Sequence, residues 1–186
     1  MSTLTMTPQA GTTTWKIDPA HSVVEFKVRH MMISNVKGQF TAITGSMTLV
    51  PNDITKSRIE ASADATSINT RDVQRDGHLK SPDFFDVGKF PRLTFVSTRV
   101  ERQSEDKLVV RGNLTIHGIT REVVFDVEEP TPPHKDPWGS TRIGVSATAM
   151  INRKDFGLNW NAALEAGRFL VGEEVTITLD VEFMQA

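Results

Sequence analysis

Apolar residues recur at every second position over most of this chain, and that period of two restricts what it can become. In "HSVVEFKVRH", Val24, Phe26 and Val28 share one face, while Glu25, Lys27 and Arg29 occupy the other. The run "RIEASADATS" sets Ile59, Ala61, Ala63 and Ala65 against Glu60, Ser62, Asp64 and Thr66. "TRIGVSATAMI" and "EVTITLDVEF" repeat the pattern with Val145, Ala147 and Ala149, and with Val175, Ile177, Leu179 and Val181; "RLTFVSTRV" contributes Leu93 and Phe95. Such runs are strands with one buried face. That face must be covered, and helical signal is too scarce here to cover it. The sheet therefore closes on itself or packs on a second sheet. The expected fold is all-β: an antiparallel eight-stranded β-barrel with one or two short helices. A barrel also removes exposed edges. A two-sheet sandwich is the alternative, and periodicity does not separate the two.

The stretch "LVVRGNLTIHGITREVVFDV" defines a hairpin register. With His117-Gly118 as a two-residue turn, Ile116 faces Ile119, Leu114 faces Arg121, Gly112 faces Val123, Val110 faces Phe125 and Leu108 faces Val127. All but one of these pairs are apolar or contain glycine. A slip of one residue would mix the two faces. Histidine tolerates positive φ better than most residues, and glycine adopts it freely. His117 is accordingly a turn residue.

Elsewhere, "SPDFFD" reads as a helix start, with Ser81 as N-cap and Pro82 at the first helical position. Together with "TRDVQRDGHL" it is expected to form one or two short helices between strands. "AALEAGRFLVG" is expected to add a further turn or two of helix, stopped by Gly172. The proline-rich segment from Glu128 to Ser140 is an irregular loop. Residues 1–13, polar and threonine-rich, read as a mobile tail, leaving 14–186 as a single domain.

An eight-stranded barrel is just wide enough to be plugged by its own side chains or to hold one small ligand. Here two strands present alanines inward, Ala61, Ala63 and Ala65 on one and Ala147 and Ala149 on the other, and a third presents Gly112. A face so sparsely furnished leaves volume unfilled, and a dry void costs roughly 24 cal/mol per Å³. An apolar guest would remove that cost. Short helices or phenylalanines folded over the alanines would remove it equally.

The 186 residues hold 21 basic and 23 acidic side chains, mixed along the chain, for a formal net charge of −2. That balance supplies no basic field for nucleic acid and no polycationic arm for an acidic membrane. Cysteine is absent, which excludes disulfides, thiolate nucleophiles and thiolate metal sites. No segment approaches the roughly 18 uninterrupted apolar residues of a membrane span, and the N-terminus lacks a secretory pattern. A cytoplasmic, non-membrane-spanning protein is expected, with the periplasm as the alternative.

Asp72, Asp76, His78, Asp83 and Asp86 cluster in sequence, as do Asp18, His21 and His30, but neither group has the spacing of a metal or catalytic motif. No catalytic residue and no metal ligand is assigned. His30 shares the parity of Val24, Phe26 and Val28, which directs it inward near one barrel end. Arg121 is the lone charge on the inward face of the hairpin, where its guanidinium fork suits a phosphate or quinone oxygen.

The ordered fragments "WKIDPAHSVVEFKVRH", "NVKGQF", "INTRDVQRDGHLKSPDFFDVGKFPRLTF", "GNLTIHGITREV", "RKDFGL" and "GEEVTITLDVEF" span about Thr14 to Phe183. In that order they resemble the YceI-like family of polyisoprenoid-binding proteins. The resemblance implies a lipocalin-like barrel whose apolar pore holds a long isoprenoid, a polyprenyl chain or an isoprenoid quinone, with no other cofactor. It also implies homodimers and roles in lipid transport, storage or stress response. Burial is worth about 0.8 kcal/mol per CH₂, so some thirty carbons exceed on paper the roughly 18 to 21 kcal/mol ceiling of non-covalent affinity. Ordinary apolar side chains then suffice as the binding site. The expected ligand-binding residues are Val24, Phe26, Val28, His30, Phe40, Phe84, Phe85, Phe95, Leu114, Ile116, Arg121, Val123, Phe125, Val145, Ala147, Phe156, Ile177 and Leu179. The rival functions are an isomerase or hydrolase using the same cavity, and an interaction module with a plugged barrel.

Overall fold

A computed structural model describes residues 11–186 and turns the alternating runs into one twelve-stranded antiparallel sheet. In chain order the elements are β1 (Thr13–Ile17), β2 (Val23–His30), β3 (Ser34–Phe40), β4 (Ile43–Leu49), β5 (Arg58–Asp64), β6 (Ile68–Asn69), α1 (Val73–Lys80), β7 (Arg92–Arg102), β8 (Lys107–Ile116), β9 (Ile119–Glu128), β10 (His134–Lys135), β11 (Thr141–Asn152) and β12 (Val171–Gln185). Residues 1–10, most of the expected tail, lie outside the described residues; Thr13 already belongs to β1.

Eight strands close a ring in the order β1-β4-β5-β7-β8-β9-β11-β12. Closure is made where β11 pairs with β12 from Arg142↔Met184 to Asn152↔Glu174. The fold is thus the expected closed barrel, and the sandwich is excluded. The long strand β12 carries two partners on its other edge. Val171 to Asp180 pair with β2, and Phe183 to Gln185 pair with β1. The chain passes from β1 to β2 through a 3-10 turn at Pro19–His21, capped by the Asp18 carboxylate, which accepts from the Ala20 N–H at 3.0 Å. The β2–β3 hairpin is therefore inserted between β1 and its ring neighbour β4, and it extends one end of the barrel.

The β8–β9 hairpin takes the register its hydrophobic pattern demands, from Ile116↔Ile119 to Leu108↔Val127. His117 (φ 55) and Gly118 (φ 72) form the turn. The His117 ring packs edge-on against Phe90 at 4.7 Å between centroids, so its role is local packing and chain reversal.

Three local expectations are corrected. The helix begins earlier than "SPDFFD": α1 is capped at its N-terminus by Asp72, whose side chain accepts from Arg75 N–H at 3.0 Å, and Ser81 is its C-cap. Pro82 to Asp86 form turns, because the Phe84 and Asp86 N–H groups both return to the Ser81 carbonyl. "AALEAGRFLVG" holds only a single 3-10 turn, Glu165–Gly167, broken by Ala166 at φ 60. It is a tight reversal in which Ala163 bridges Phe169, and Gly172 lies inside β12. Gly112 does not leave a void either. The Phe95 ring lies over it so closely that an added Cβ would clash with the ring, and Phe26 occupies Gly38 in the same way.

One ion-pair cluster ties the seam together. Arg142 on β11 donates to Asp18 (2.7 Å), to Asp136 of the proline-rich loop (2.7 Å) and to Glu182 on β12 (2.5 Å), while His21 Nδ1 meets Asp18 at 2.8 Å. Four chain segments converge on one largely buried guanidinium. The Arg142 and His21 hydrogen bonds hold the Asp18 carboxyl down at about 2. Because the unfolded carboxyl titrates near about 3.9, the stabilisation is complete above roughly pH 4 and is lost as pH falls through about 2. Asp18→Asn is expected to lower the urea midpoint at pH 7, and the gap from wild type should close across that acid window. Identical midpoints at pH 7 would show that the cluster contributes nothing.

Candidate functional site

Closing the sheet turns the apolar face of every ring strand inward, and the side chains gathered there do not fill the space. A cavity of about 280 Å³ remains. Along β12 its wall runs from Val171 to Phe183. At about 3.3 Å per residue and a strand tilt of about 40°, the pore is roughly 30 Å long. The wall is hydrocarbon almost throughout. Its polar members are Glu25, Thr44, Ser57, Ser62, Thr94 and Arg153.

The alanine strands do line the pore, through Ala61 and Ala63 on β5 and Ala147 on β11. Ala65 and Ala149 are buried but stand outside its wall. Aromatic rings pack on one another along the wall. Phe95 meets Phe125 (5.2 Å) and Phe40 meets Phe85 (5.9 Å) edge-on, while Phe40 meets Phe26 at a tilt (5.8 Å). At one end the pore is covered by Leu79 of α1 and by Phe84 and Phe85 of the following turns, together with Leu158; at the other, Leu49, Ile54 and Pro130 reach its wall.

Of the residues expected from sequence, Val24, Phe26, Val28, Phe40, Phe84, Phe85, Phe95, Leu114, Ile116, Phe125, Val145, Ala147, Ile177 and Leu179 form this wall. Four do not. Val123 and Phe156 are buried within the core cluster that backs the wall. His30 is half-buried at the end of β2, opposite Val171. Arg121 is exposed at the strand end, where it donates to the Thr120 carbonyl at 3.0 Å. It faces solvent because its position lies two residues from the turn, where a long cationic side chain reaches water readily.

The buried charge that borders the pore is Arg153, only 3% exposed, whereas Glu25, the other charged member of the wall, reaches solvent. Its guanidinium donates to the carbonyls of Leu158 (2.5 Å), Gly172 (2.7 Å), Trp160 (2.9 Å) and Val171 (3.3 Å). Desolvation lowers its pKa from the ordinary arginine value. It acts as a peg that fixes the 153–172 segment across the pore end. Sequence reading passed over it because its partners are backbone carbonyls, which leave no residue signature. Other missed wall residues, among them Leu93, Leu108, Val110, Val175 and Val181, already carried the inward parity and were legible by that rule.

The acidic and histidine groups are otherwise engaged. Asp72 caps α1, Asp76 accepts from the Thr70 N–H and hydroxyl, His78 meets Asp83 at 2.8 Å, and Asp86 pairs with Lys89. Asp18, His21 and Glu182 lie close enough together to suggest a metal site. The Arg142 guanidinium bonds both carboxylates, and a cation would have to displace it.

Comparison with known proteins places this arrangement. A model of the YceI-like domain matches residues 15–183. The UPF0312 protein SAS2572 of Staphylococcus aureus (strain MSSA476) is 41% identical over 171 residues, covering 92% of this chain and 97% of that protein. Among solved structures, Burkholderia cenocepacia BcnA superposes with a TM-score of 0.78 at 21% identity, over 89% of this chain and 98% of its own. A polyisoprenoid binding domain from Saccharophagus degradans, implicated in plant cell wall breakdown, gives 0.66 at 16% identity, over 92% and 98%.

The wall predicts its own blockade. Ala63→Phe and Ala147→Phe each put a ring into the pore, and each is expected to abolish uptake of a long-chain prenol in a fluorescence displacement assay while keeping the β-type circular dichroism. Normal uptake by either variant would mean that the alanine rows do not border the binding space.

Proposed function

The chain belongs to the YceI-like domain family, and on that footing we propose that it is a non-enzymatic carrier holding one long isoprenoid lipid, a polyprenyl chain or an isoprenoid quinone, along the barrel pore. The observation that carries this reading is a long, hydrocarbon-lined cavity that the protein leaves empty of its own side chains. At roughly 24 cal/mol per Å³, a dry void of about 280 Å³ would cost on the order of 7 kcal/mol. That is comparable to the whole stability of a typical domain, about 5–15 kcal/mol. An apolar chain in the pore removes the cost and adds its own burial.

The occupant is linear rather than globular, since a cavity of about 280 Å³ is drawn out along a pore roughly 30 Å long. The fold neighbour described as a polyisoprenoid binding domain supports the ligand class. A homodimer is the assembly proposed for the carrier, as the family likeness implies. A hydrolase or isomerase in the same pore has no support in its wall, where the one buried charge, Arg153, is consumed by backbone carbonyls.

Solvent extraction of the purified protein followed by mass spectrometry is expected to release a polyprenyl-type lipid in near-stoichiometric amount. Protein that releases no apolar molecule, and takes up no added isoprenoid quinone, would sink the proposal.

A further inference from the structure

One joint of the ring is far shorter than the others. β11 and β12 share eleven residue pairs and β8 and β9 share ten, whereas β9 and β11 pair only at Ala147↔Val127 and Thr148↔Asp126. β1 and β12 share three, but β2 continues along the same edge of β12. Nothing continues the β9–β11 ladder beyond Asp126 and Thr148. Residues 119–125 of β9 and 149–152 of β11 therefore border a seam that no strand pair closes. The outward residues along it are apolar and poorly covered, Met150 being 63% exposed and Val124 37%.

The 3-10 turn Arg153–Phe156 follows β11 directly and touches β9, β11 and β12, so it stands across the seam. Its Phe156 is 1% exposed, within the cluster that holds Ile116, Val123 and Ala149. Leu158, two residues on, belongs to the pore wall. This strap, 153–158, is fastened on one side only. Arg153 bonds the Leu158 and Gly172 carbonyls, and Lys154 pairs with Glu173 on β12 at 2.7 Å. Among the described residues, no hydrogen bond or ion pair joins the strap to β9 or to the β8–β9 turn. Contact there is by packing alone. Gly157 (φ 73) lies so near that an added Cβ would sit 3.0 Å from Ile119 Cδ1 and 3.2 Å from His117 Nδ1. That nitrogen is buried, and no group among the described residues bonds it. A buried polar atom left unpaired works against the closed contact, and parting the contact lets water satisfy it.

We propose that the strap is a side gate for the pore: 153–158 swings away from β9 about its attachments to β11 and β12, and the isoprenoid chain enters through the seam. The inference rests on the pore-binding reading above and adds the route of loading. Both mouths are covered, by Leu79, Phe84 and Phe85 at one end and by Ile54 and Pro130 at the other. Threading a chain end-on would drag its whole length past one cover, whereas a parted seam admits it from the side. Moving the strap disturbs packing but costs the ring no ladder, since the seam edges have none there to lose. It also withdraws Leu158 and so opens the pore wall beside the seam.

Because the chain has no cysteine, introduced pairs form single, defined disulfides. Ile119→Cys with Gly157→Cys ties the strap to β9. Once oxidised, this variant is expected to take up a fluorescent long-chain prenol about tenfold or more slowly than wild type in a stopped-flow assay. A reductant should restore the rate. Thr115→Cys with Thr120→Cys joins side chains whose hydroxyls lie 2.8 Å apart on the same hairpin, away from the seam, and should load like wild type. Phe156→Leu trims the plug without emptying its seat, and should speed loading and release alike, by about fivefold. The gate is overturned if the oxidised strap pair loads at the wild-type rate, if the Thr115–Thr120 pair slows as much, or if Phe156→Leu leaves exchange unchanged. Wild type that takes up no prenol overturns the pore-binding reading, and the gate with it.

Discussion

Backbone hydrogen bonding along β12 is the constraint on which the rest of the molecule depends. A sheet whose strands each have one apolar face needs that face covered and both edges satisfied. Curling the sheet until β11 meets β12 does both at once, since it encloses the apolar faces and removes the free edges of the ring. β12 can close the ring only because it is long enough to serve β11 on one side and both β2 and β1 on the other. The turn at Pro19–His21 divides that second edge, and the Arg142 cluster fastens the same place with charge.

Hollowness follows from closure combined with side-chain size. Inward positions on β5 and β11 carry alanine, and the phenylalanines that would otherwise plug the centre are drawn flat against the wall. Phe95 lies over Gly112 and Phe26 over Gly38, each ring occupying the place of a missing side chain on the adjacent strand. A glycine in such a wall therefore does not enlarge the pore; it keeps a ring out of the lumen. The ends are treated differently from the middle. Leu79, Phe84 and Phe85 from the α1 region, together with the Arg153-pegged segment, cover one mouth. That same end bears the exposed methionine tip.

Most of this architecture was legible before any coordinates, and the reason is local. A period of two assigns each strand residue to a face regardless of its partner, so the β8–β9 register and the wall positions Val24, Phe26, Phe125, Val145, Ile177 and Leu179 follow from parity alone. Parity failed where a residue leaves the strand geometry. Arg121 obeys the inward count yet lies at a strand end, where its length lets it turn to water. Phe156 belongs to a 3-10 turn, outside any alternation, and is buried behind the wall. Ser81 has the composition of an N-cap and terminates α1, because Asp72 nine residues earlier makes the competing cap first.

By itself the sequence determined that the chain is a one-faced antiparallel sheet with a sparsely filled apolar side, since alternation, turn residues and side-chain volume are properties of neighbours in the chain. Only the tertiary structure decided that the sheet closes at β11 and β12, that Arg153 finds four carbonyls, and that the β2–β3 tip meets the 161–170 reversal through the Met31 N–H and the Leu170 carbonyl. Those facts depend on which distant segments meet. Meeting is set by the collective closure of the ring, and no short stretch of residues encodes it.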